Sequence, residues 1–238
     1  MKSNSSLISK DFNPKITDPS YLLRKRLLQK LTQVIPELSG SLMDFGCGSK
    51  PYKPLFTVTE YIGVDFQGQG HSHENEVIDV FYDGNTLPFE NNRFDSIFSS
   101  EVFEHVFNLE HMLKELNRVL KPGGKMLITC PFAICEHEAP NDFARYTSFG
   151  LTDLLKRNGF KILQFNKVGT AYETSRQIFI SYFYDGIVRR LLGKIPVIRT
   201  IAKVIIVPFL NIISIGFNAI LPGRNDLYMN NVVLVTKE

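Results

Sequence analysis

The sequence contains few cysteines and no large excess of charge of either sign. Its 238 residues include three cysteines, Cys47, Cys130 and Cys135, at no repeated metal-ligand spacing. This pattern excludes a disulfide framework and favours reduced thiols in the cytoplasm. The formal net charge of +3 is too small to indicate a nucleic-acid partner. The first residues lack the apolar run of a secretory signal, so we expect a cytoplasmic protein that binds no nucleic acid.

Internal repeats and low-complexity tracts are also absent, and the chain alternates short apolar runs with helical patterns. Hydrophobic residues make up 44% and charged residues 21%, which is ordinary for a globular protein. Helical spacing begins after Asp18 and recurs over residues 101–120 and 148–158. The predicted strands are rich in Val, Ile and Phe, and they are SLMDFG, EYIGVDF, EVIDVF, FDSIFSS, GKMLITCPF, residues 160–168 and residues 231–236. This alternation predicts an α/β fold with a mostly parallel sheet.

The pattern divides the chain into four segments. Residues 1–40 form a polar tail followed by a basic helix, and residues 41–171 hold the strands and helices of the core. Residues 172–225 are long, apolar and basic, and they interrupt the alternation as a helical insertion. Residues 226–238 return to the core as its last strand.

A glycine-rich turn follows the first predicted strand. Gly46 and Gly48 allow a tight turn whose N–H groups approach a ligand closely. Asp65, 17 residues beyond Gly48, ends the next strand, where it can accept both hydroxyls of a ribose. A dinucleotide fingerprint needs a third glycine where this chain has Pro51, and Asp44 at the strand tip repels a pyrophosphate but attracts an amino group. A cofactor with a ribose and a cationic amino-acid tail, such as S-adenosylmethionine, fits this pattern.

The order of motifs from Leu42 to Pro131 resembles the class I S-adenosylmethionine-dependent methyltransferase family, of the type in which an LPF segment precedes FD. The motifs are DFGCGS, VD, DGNTLPF, FDSIFSSEVFEHV and RVLKPGGKMLITCP. The resemblance implies a Rossmann-like, doubly wound sheet of seven mostly parallel strands with an antiparallel last strand, here preceded by the helical insertion. By the same resemblance, Asp44, Gly46, Cys47 and Gly48 are expected to contact the methionine portion, and Asp65 the ribose. Asp83 and Gly84 are expected to contact the adenine, and Ser99 and Ser100 the sulfonium.

A second group of polar residues follows the fourth strand. Glu101, Glu104 and His105 have the spacing i, i+3 and i+4, which predicts one shared helix face, and His137 follows the fifth strand at the same edge of the sheet. Two carboxylates and two imidazoles are able to hold a divalent cation. The run EVFEH resembles that of small-RNA 2′-O-methyltransferases, for which a metal site is implied, and that of ubiquinone-biosynthesis O-methyltransferases. The alternative is that the glutamates favour a helix N-terminus and His105 bonds to a carbonyl or carboxylate.

A polar and aromatic segment, residues 136–146, follows the fifth strand and is expected to overhang the methyl donor. His137, with His105 beside it, is the candidate general base in the absence of a metal, since neutral imidazole accepts protons near pH 7. Arg145 is a candidate for holding an anionic or sugar-like acceptor, and a loop-stiffening ion pair with Asp142 is the alternative. The run HEAPNDFARYT resembles methyltransferases associated with bacterial surface-polysaccharide synthesis.

The insertion contains an uncharged run of 18 residues, 204–221, after a basic stretch. Its polar residues Asn211, Ser214 and Asn218 form one stripe on a helix, which favours an interfacial amphipathic segment over a membrane span. The equal alternative is a helical lid or a dimer surface whose apolar faces are buried in protein. Residues 185–221 are therefore expected to contact either a membrane surface or a second copy of the chain.

Together these features predict an enzyme that transfers a methyl group from S-adenosylmethionine to a hydroxyl of a small or glycan-like acceptor. The apolar insertion leaves a second acceptor class open, a quinone-like or lipid-linked molecule. The alternative outside enzymes is a non-catalytic cofactor-binding partner protein in a membrane-associated complex. We expect a cytoplasmic location, at the inner face of the membrane if the insertion contacts lipid.

Overall fold

A seven-stranded sheet forms the centre of the protein. The structure, a computed structural model, describes residues 7–68, 76–192 and 194–238. The strands are β1 (Ser41–Phe45), β2 (Glu60–Phe66), β3 (Val80–Tyr82), β4 (Phe94–Ser100), β5 (Leu120–Pro131), β6 (Phe160–Val168) and β7 (Asn230–Lys237). Their order across the sheet is β3-β2-β1-β4-β5-β7-β6, and β7 alone runs antiparallel to its neighbours. The predicted Rossmann-like sheet with an antiparallel last strand is confirmed.

Helices cover both faces of this sheet, because neighbouring residues of a strand point to opposite sides. The helices are α1 (Tyr21–Val34), α2 (Leu109–Val119), α3 (Ser148–Arg157), α4 (Ala171–Ser181), α5 (Pro196–Ile201) and α6 (Val207–Ile220), with π-helical turns at Tyr182–Arg189 and Ala202–Ile206. Helix α1 packs on one face with Leu42 and Phe98. Helices α2 and α3 pack on the other face with Met43 and Ile97. The core is therefore two apolar layers separated by the sheet.

The helix predicted over residues 101–120 is wrong in its first part, because the helix begins at Leu109. Glu101 has a backbone φ of 57°, in the left-handed region, and Phe103–His105 form a single 3-10 turn. A right-handed α-helix does not accommodate a residue at positive φ. The three predicted ligands at its start therefore do not share a helix face. The apolar spacing made the predicted helix begin too early, because Phe103, in the 3-10 turn, is also fully buried.

The insertion folds as helices and packs against α1. Leu22 of α1 lies in a buried cluster with Ile180 and Val207 of the insertion. Nη2 of Arg26 donates to Oε1 of Glu173 at 2.6 Å, and the Glu173 side chain is only 2% exposed. The N-terminal helix therefore joins the insertion to the core through both apolar packing and an ion pair.

The long helix at the end of the insertion has an apolar outer side. Among the described residues, one helix, Pro196–Ile220, is long and apolar enough, by length and composition only, to cross a membrane, and 22% of its most apolar window is buried. Its polar stripe faces the protein: Asn211 and Ser214 are fully buried, and Nδ2 of Asn211 donates to the carbonyl oxygen of Ile16 at 2.8 Å. The exposed side is therefore left to apolar residues.

We predict that Glu173→Ala lowers the free energy of unfolding by about 2 kcal/mol. The substitution removes a buried ion-pair partner and also the capping box of α4, in which Glu173 and Thr170 bond reciprocally. The control is Asp153→Ala, whose exposed ion pair with Arg157 contributes less than about 0.5 kcal/mol. Urea unfolding measures both, and equal losses would contradict a structural role for the contact between α1 and the insertion.

Candidate active site

The carboxyl ends of β1, β2, β4 and β5 meet at one edge of the sheet and surround a cavity of about 620 Å³. That volume is typical of cofactor and small-molecule sites. Ten of the predicted site residues line the cavity: Asp44, Gly46, Cys47, Gly48, Asp65, Gly84, Ser100, Glu101, His105 and His137. The other four, Asp83, Ser99, Glu104 and Arg145, lie around it.

The turn after β1 requires glycine at two positions. Gly46 and Gly48 have φ angles of 70° and 44°, which glycine adopts without strain. A Cβ atom at Gly46 would lie 2.3 Å from Cγ2 of Val102, so no side chain fits there. The N–H of Gly48 donates to Oδ2 of Asp65 at 2.8 Å, which fixes the turn against the end of β2. Cys47 between the glycines is buried, and burial raises the pKa of its thiol, so it serves packing and not nucleophilic chemistry.

Asp44 is a buried carboxyl at the end of β1, only 3% exposed. The hydroxyl of Tyr61 donates to its Oδ2. Burial raises the pKa of Asp44 to about 7, and the hydrogen bond from Tyr61 offsets only part of that effect. The charge of Lys50 also lowers this pKa, but less than burial raises it, and the Lys50 ammonium bonds to Asp79. This position therefore favours an incoming ammonium group.

Asp83 lies beside the cavity but its carboxylate is used locally. Oδ1 of Asp83 accepts the N–H groups of Asn85 and Thr86, each at 2.8 Å, and these bonds lower the pKa of the exposed Asp83 carboxyl. Gly84, with a φ of 85°, lines the cavity beside the ring of Phe66. The structure therefore brings Gly84 and Phe66 to this side of the cavity and leaves the Asp83 carboxylate in its own turn.

The end of β4 places one of its two serines in the site. Ser100 lines the cavity, and its Oγ lies 2.9 Å from Oγ1 of Thr129. Ser99 points to the opposite side of the strand, as alternate residues must. It is fully buried, and its Oγ has no hydrogen-bond partner within the described part of the chain. Strand geometry therefore separates two residues that the sequence places together.

Glu104, His105 and His137 form a compact cluster at the edge of the cavity. Oε1 of Glu104 lies 3.7 Å from Nε2 of His105 and 3.9 Å from Nε2 of His137. Glu104 is fully buried, and neither of its carboxylate oxygens has a hydrogen-bond partner among the residues described. Burial, together with the nearby charge of Glu101, raises the pKa of Glu104 well above its usual range. Three acceptor groups facing one another favour a shared proton or a cation between them.

The remaining nitrogens of the two imidazoles are held by carbonyl groups. Nδ1 of His105 lies 2.6 Å from the carbonyl oxygen of Asn141, and Nδ1 of His137 lies 3.3 Å from that of Cys135. Because a carbonyl only accepts, we assign the hydrogen of each neutral ring to Nδ1. Both Nε2 lone pairs then face Glu104. Histidines that bind metals or accept protons are commonly oriented in this way.

Glu101 does not belong to this cluster. Its Oε1 accepts the Thr129 hydroxyl at 2.7 Å, and its Oε2 accepts Nδ2 of Asn230 at 2.6 Å. Burial raises the pKa of Glu101, and the two bonds hold its carboxyl against β5 and β7. Within the described residues, the group close enough to share a metal ion consists of Glu104, His105 and His137, so the predicted four-ligand set is reduced to three.

Arg145 stiffens the loop after β5. Its Nη1 and Nη2 donate to the two carboxylate oxygens of Asp142 at 2.5 and 2.6 Å. Oδ2 of Asp142 also accepts the N–H of His137 at 2.9 Å. The ion pair that stood as the alternative for Arg145 is present, and it positions the backbone of His137.

The N-terminal segment also lines the cavity, which no motif predicted. Phe12 and Arg24 contribute to the wall, with the Arg24 guanidinium 5.0 Å from the centre of the Phe12 ring. Phe107 and Phe143 form an edge-to-face pair at 5.3 Å on another part of the wall. The only sequence signal for these was the aromatic character of residues 136–146, which contains Phe143. The cavity is thus completed by residues from outside the predicted core.

Known proteins are similar to this chain in sequence and in fold. Residues 43–128 match the sequence model of a family described as methyltransferase domain. The demethylmenaquinone methyltransferase of Staphylococcus saprophyticus is 34% identical over 120 residues, which cover 45% of this chain and 49% of that protein. This chain spans between 12% and 49% of the length of four such curated relatives.

Two solved structures resemble the fold along most of the chain. An S-adenosylmethionine-dependent methyltransferase from Mesorhizobium loti is similar with a TM-score of 0.51 and 13% identity, covering 92% of this chain and 98% of that one. The cyclase SpnF is similar with a TM-score of 0.53 and 18% identity, covering 91% and 82%. The motif order and the family match agree that residues 43–128 resemble a methyltransferase domain, and the sheet topology agrees with the folds of these structures.

Proposed function

We propose that the protein transfers a methyl group from S-adenosylmethionine to a hydroxyl of a small or glycan-like acceptor. The observation that carries this proposal is the arrangement of one cavity. A buried carboxyl, a glycine turn and Asp65 line one part of it, and two imidazoles whose Nε2 atoms face Glu104 line another. The first group suits a cationic nucleoside cofactor, and the second suits the acceptance of a proton.

The cofactor is held in this proposal by charge and shape. Asp44 takes the ammonium group, Asp65 takes the ribose hydroxyls, and Gly84 leaves room for the adenine beside Phe66. The residues fit the cofactor because the hydrogen bond from Tyr61 and the charge of Lys50 offset only part of the cost of ionising the buried Asp44, so an ammonium group would be favoured there.

The transfer itself is a direct displacement. When bound, S-adenosylmethionine would supply an electrophilic methyl group for attack by the acceptor oxygen, with its sulfur as the leaving group. The acceptor proton passes to Nε2 of His137, with His105 next to it. The protein contributes alignment, exclusion of water and this base.

A divalent cation is the alternative to a free base. Glu104, His105 and His137 would hold it, since three ligand atoms lie within 4.8 Å of one another and Glu104 is buried without a hydrogen bond among the residues described. A bound cation lowers the pKa of a substrate hydroxyl and so replaces the base.

A quinone-like or lipid-linked acceptor is the second candidate. The exposed apolar side of helix Pro196–Ile220 favours it, and one relative is named as a demethylmenaquinone methyltransferase. In this version the protein works in the cytoplasm at the inner face of the membrane. A non-catalytic, cofactor-binding partner protein would bind S-adenosylmethionine but release no S-adenosylhomocysteine with any acceptor.

We predict that Asp65→Ala weakens the binding of S-adenosylmethionine on the order of 100-fold, because charge-assisted bonds to the ribose are lost. Asp83→Ala weakens it several-fold at most, since Asp65 lines the cavity and Asp83 does not. Titration calorimetry measures both affinities. Absence of binding by the unmodified protein would contradict every methyltransferase version, and equal effects of the two substitutions would contradict the assigned roles.

We also predict that Asp44→Asn stabilises the cofactor-free protein as pH rises. The pKa of Asp44 is about 7 when folded, against 3.8 for the ordinary group. Between these values the folded state binds more protons, so the unfolding free energy falls with increasing pH. The variant has no such titration. Relative to the parent, its unfolding free energy should therefore rise by up to about 4 kcal/mol between acidic pH and pH above the upper pKa.

Urea unfolding of parent and variant at acidic and alkaline pH measures this difference, and parallel curves would contradict it. The affinity for S-adenosylmethionine should change with pH in the opposite direction to the stability. The parent binds S-adenosylmethionine more tightly as pH rises through about 7, because ionised Asp44 attracts the ammonium group. Asp44→Asn binds weakly throughout.

We predict that His137→Ala lowers turnover by about 100-fold or more, measured as release of S-adenosylhomocysteine with a reactive hydroxyl acceptor. His111→Ala is the control, since His111 is on the exposed side of α2 and bonds to the carbonyl of Asn85. Metal analysis and activity in chelator then decide between the two versions. A metal that is bound by the parent and lost in Glu104→Gln would support the version with a cation. Full activity in chelator would contradict that version and support His137 as the base.

A further inference from the structure

The insertion presents a continuous apolar outer face, here defined by the exposed side chains of helix Pro196–Ile220. Eight of its large apolar side chains are between 45% and 77% exposed, and they are Val197, Ile201, Val204, Ile205, Phe209, Ile212, Phe217 and Ile220. At 1.5 Å per residue the 25-residue helix is about 37 Å long. An exposed apolar area of this length exceeds what single scattered surface residues explain, and it marks a binding surface.

The orientation of this face is fixed from the inside. Nδ2 of Asn211 donates to the carbonyl oxygens of Ile16 and Asp18 at 2.8 and 3.1 Å. The Thr170 hydroxyl donates to Oδ1 of Asn218 at 2.6 Å. A helix that only completed a core would turn its apolar stripe inward and its polar stripe to water. Here the polar stripe forms hydrogen bonds with the rest of the protein, so the apolar side opposite it is directed outward.

Positive charge surrounds the start of the outer face. Arg190, Lys194, Arg199 and Lys203 are exposed, and none of them forms an ion pair with another described residue. No acidic residue occurs between Asp185 and Asp226 in the sequence. The face therefore combines apolar area with uncompensated cations.

We propose that the outer face docks onto an anionic lipid bilayer. The acyl region accepts the apolar side chains, and the headgroups accept the four exposed cations. A second copy of the chain fits less well, because a two-fold contact through this face would bring together the same basic residues with no acidic residue of 186–225 to pair with them. Charge complementarity thus favours lipid over self-association.

Docking would also hold the active site close to the bilayer. Helix α4 follows the carboxyl end of β6, and β7 begins again at that edge after the insertion. The cavity opens at the same edge of the sheet. A membrane-held enzyme would therefore meet an acceptor that is itself carried by lipid.

The test is sedimentation of the full chain with vesicles of phosphatidylglycerol and phosphatidylcholine, against vesicles of phosphatidylcholine alone. We expect binding to the anionic vesicles that weakens with salt. The double variant Ile205→Ser with Phe209→Ser should lower partitioning about 100-fold. The triple variant Arg190→Gln, Arg199→Gln and Lys203→Gln should lower it by a similar factor at low salt, on the order of 100-fold.

Two control variants make the same kinds of substitution at exposed residues away from the outer face. Phe149→Ser with Leu163→Ser alters exposed apolar residues of the core, and a Gln triple at Lys114, Lys156 and Lys161 removes exposed core charges. Both should bind vesicles as the parent does. Affinity for S-adenosylhomocysteine verifies that each variant is folded.

Three outcomes would overturn the proposal. One is no sedimentation with anionic vesicles, including the case of a solution dimer that Ile205→Ser with Phe209→Ser dissociates. Another is equal loss in the controls. The third is retention on vesicles after alkaline carbonate, which extracts a surface-docked protein and leaves a spanning one.

Discussion

Three carboxyl groups lie at one edge of a parallel sheet, and the organisation of the site follows from the cost of withdrawing them from water. Burial raises the pKa of Asp44, Glu101 and Glu104 alike. Each is handled differently: Tyr61 donates to Asp44, whereas β5 and β7 supply two donors to Glu101. Glu104 has no hydrogen bond among the described residues. Burial of these carboxyl groups favours positive charge at this edge, part of which Arg24 supplies.

The N-terminal helix connects this edge to the rest of the molecule. Arg24 of α1 lines the cavity, and Arg26, about half a turn further on, bonds to Glu173 of the insertion. Leu22 packs with the insertion as well. A movement of the insertion would therefore reach the cavity wall through one rigid helix. Phe12 and Arg24 therefore act as part of the site.

The sequence predicted the topology well because strand order and turns depend on local patterns. The turn at Gly46 and Gly48 could be located for the same reason, since only glycine tolerates those angles. Side-chain direction was less accessible. The register of β4 decides that Ser100 and not Ser99 reaches the cavity, and no spacing argument fixes that register. Phe12 and Arg24 carry no motif, because their role depends on where α1 packs.

The loop residues show a related limit. Asp83 has the identity that a ligand-binding carboxylate needs, yet the N–H groups of its own turn already occupy it. Arg145 likewise has a partner in Asp142, three residues earlier. Short polar side chains in turns bond first to nearby groups, since these contacts cost the least chain entropy. Residue type at the right edge of the sheet therefore indicates a site more reliably than it assigns a role.

The insertion illustrates why a polar stripe alone does not define the outside of a helix. Asn211, Ser214 and Asn218 form the same stripe whether it faces water or protein, because periodicity records only that two sides differ. The backbone carbonyls of Ile16 and Asp18 decide the matter, since both accept from Nδ2 of Asn211 and hold the stripe against the protein. Val207 packs inward near this stripe, and the apolar residues on the opposite side of the helix face outward. The direction of the apolar face is thus a consequence of hydrogen bonding at the N-terminal segment, far away in sequence.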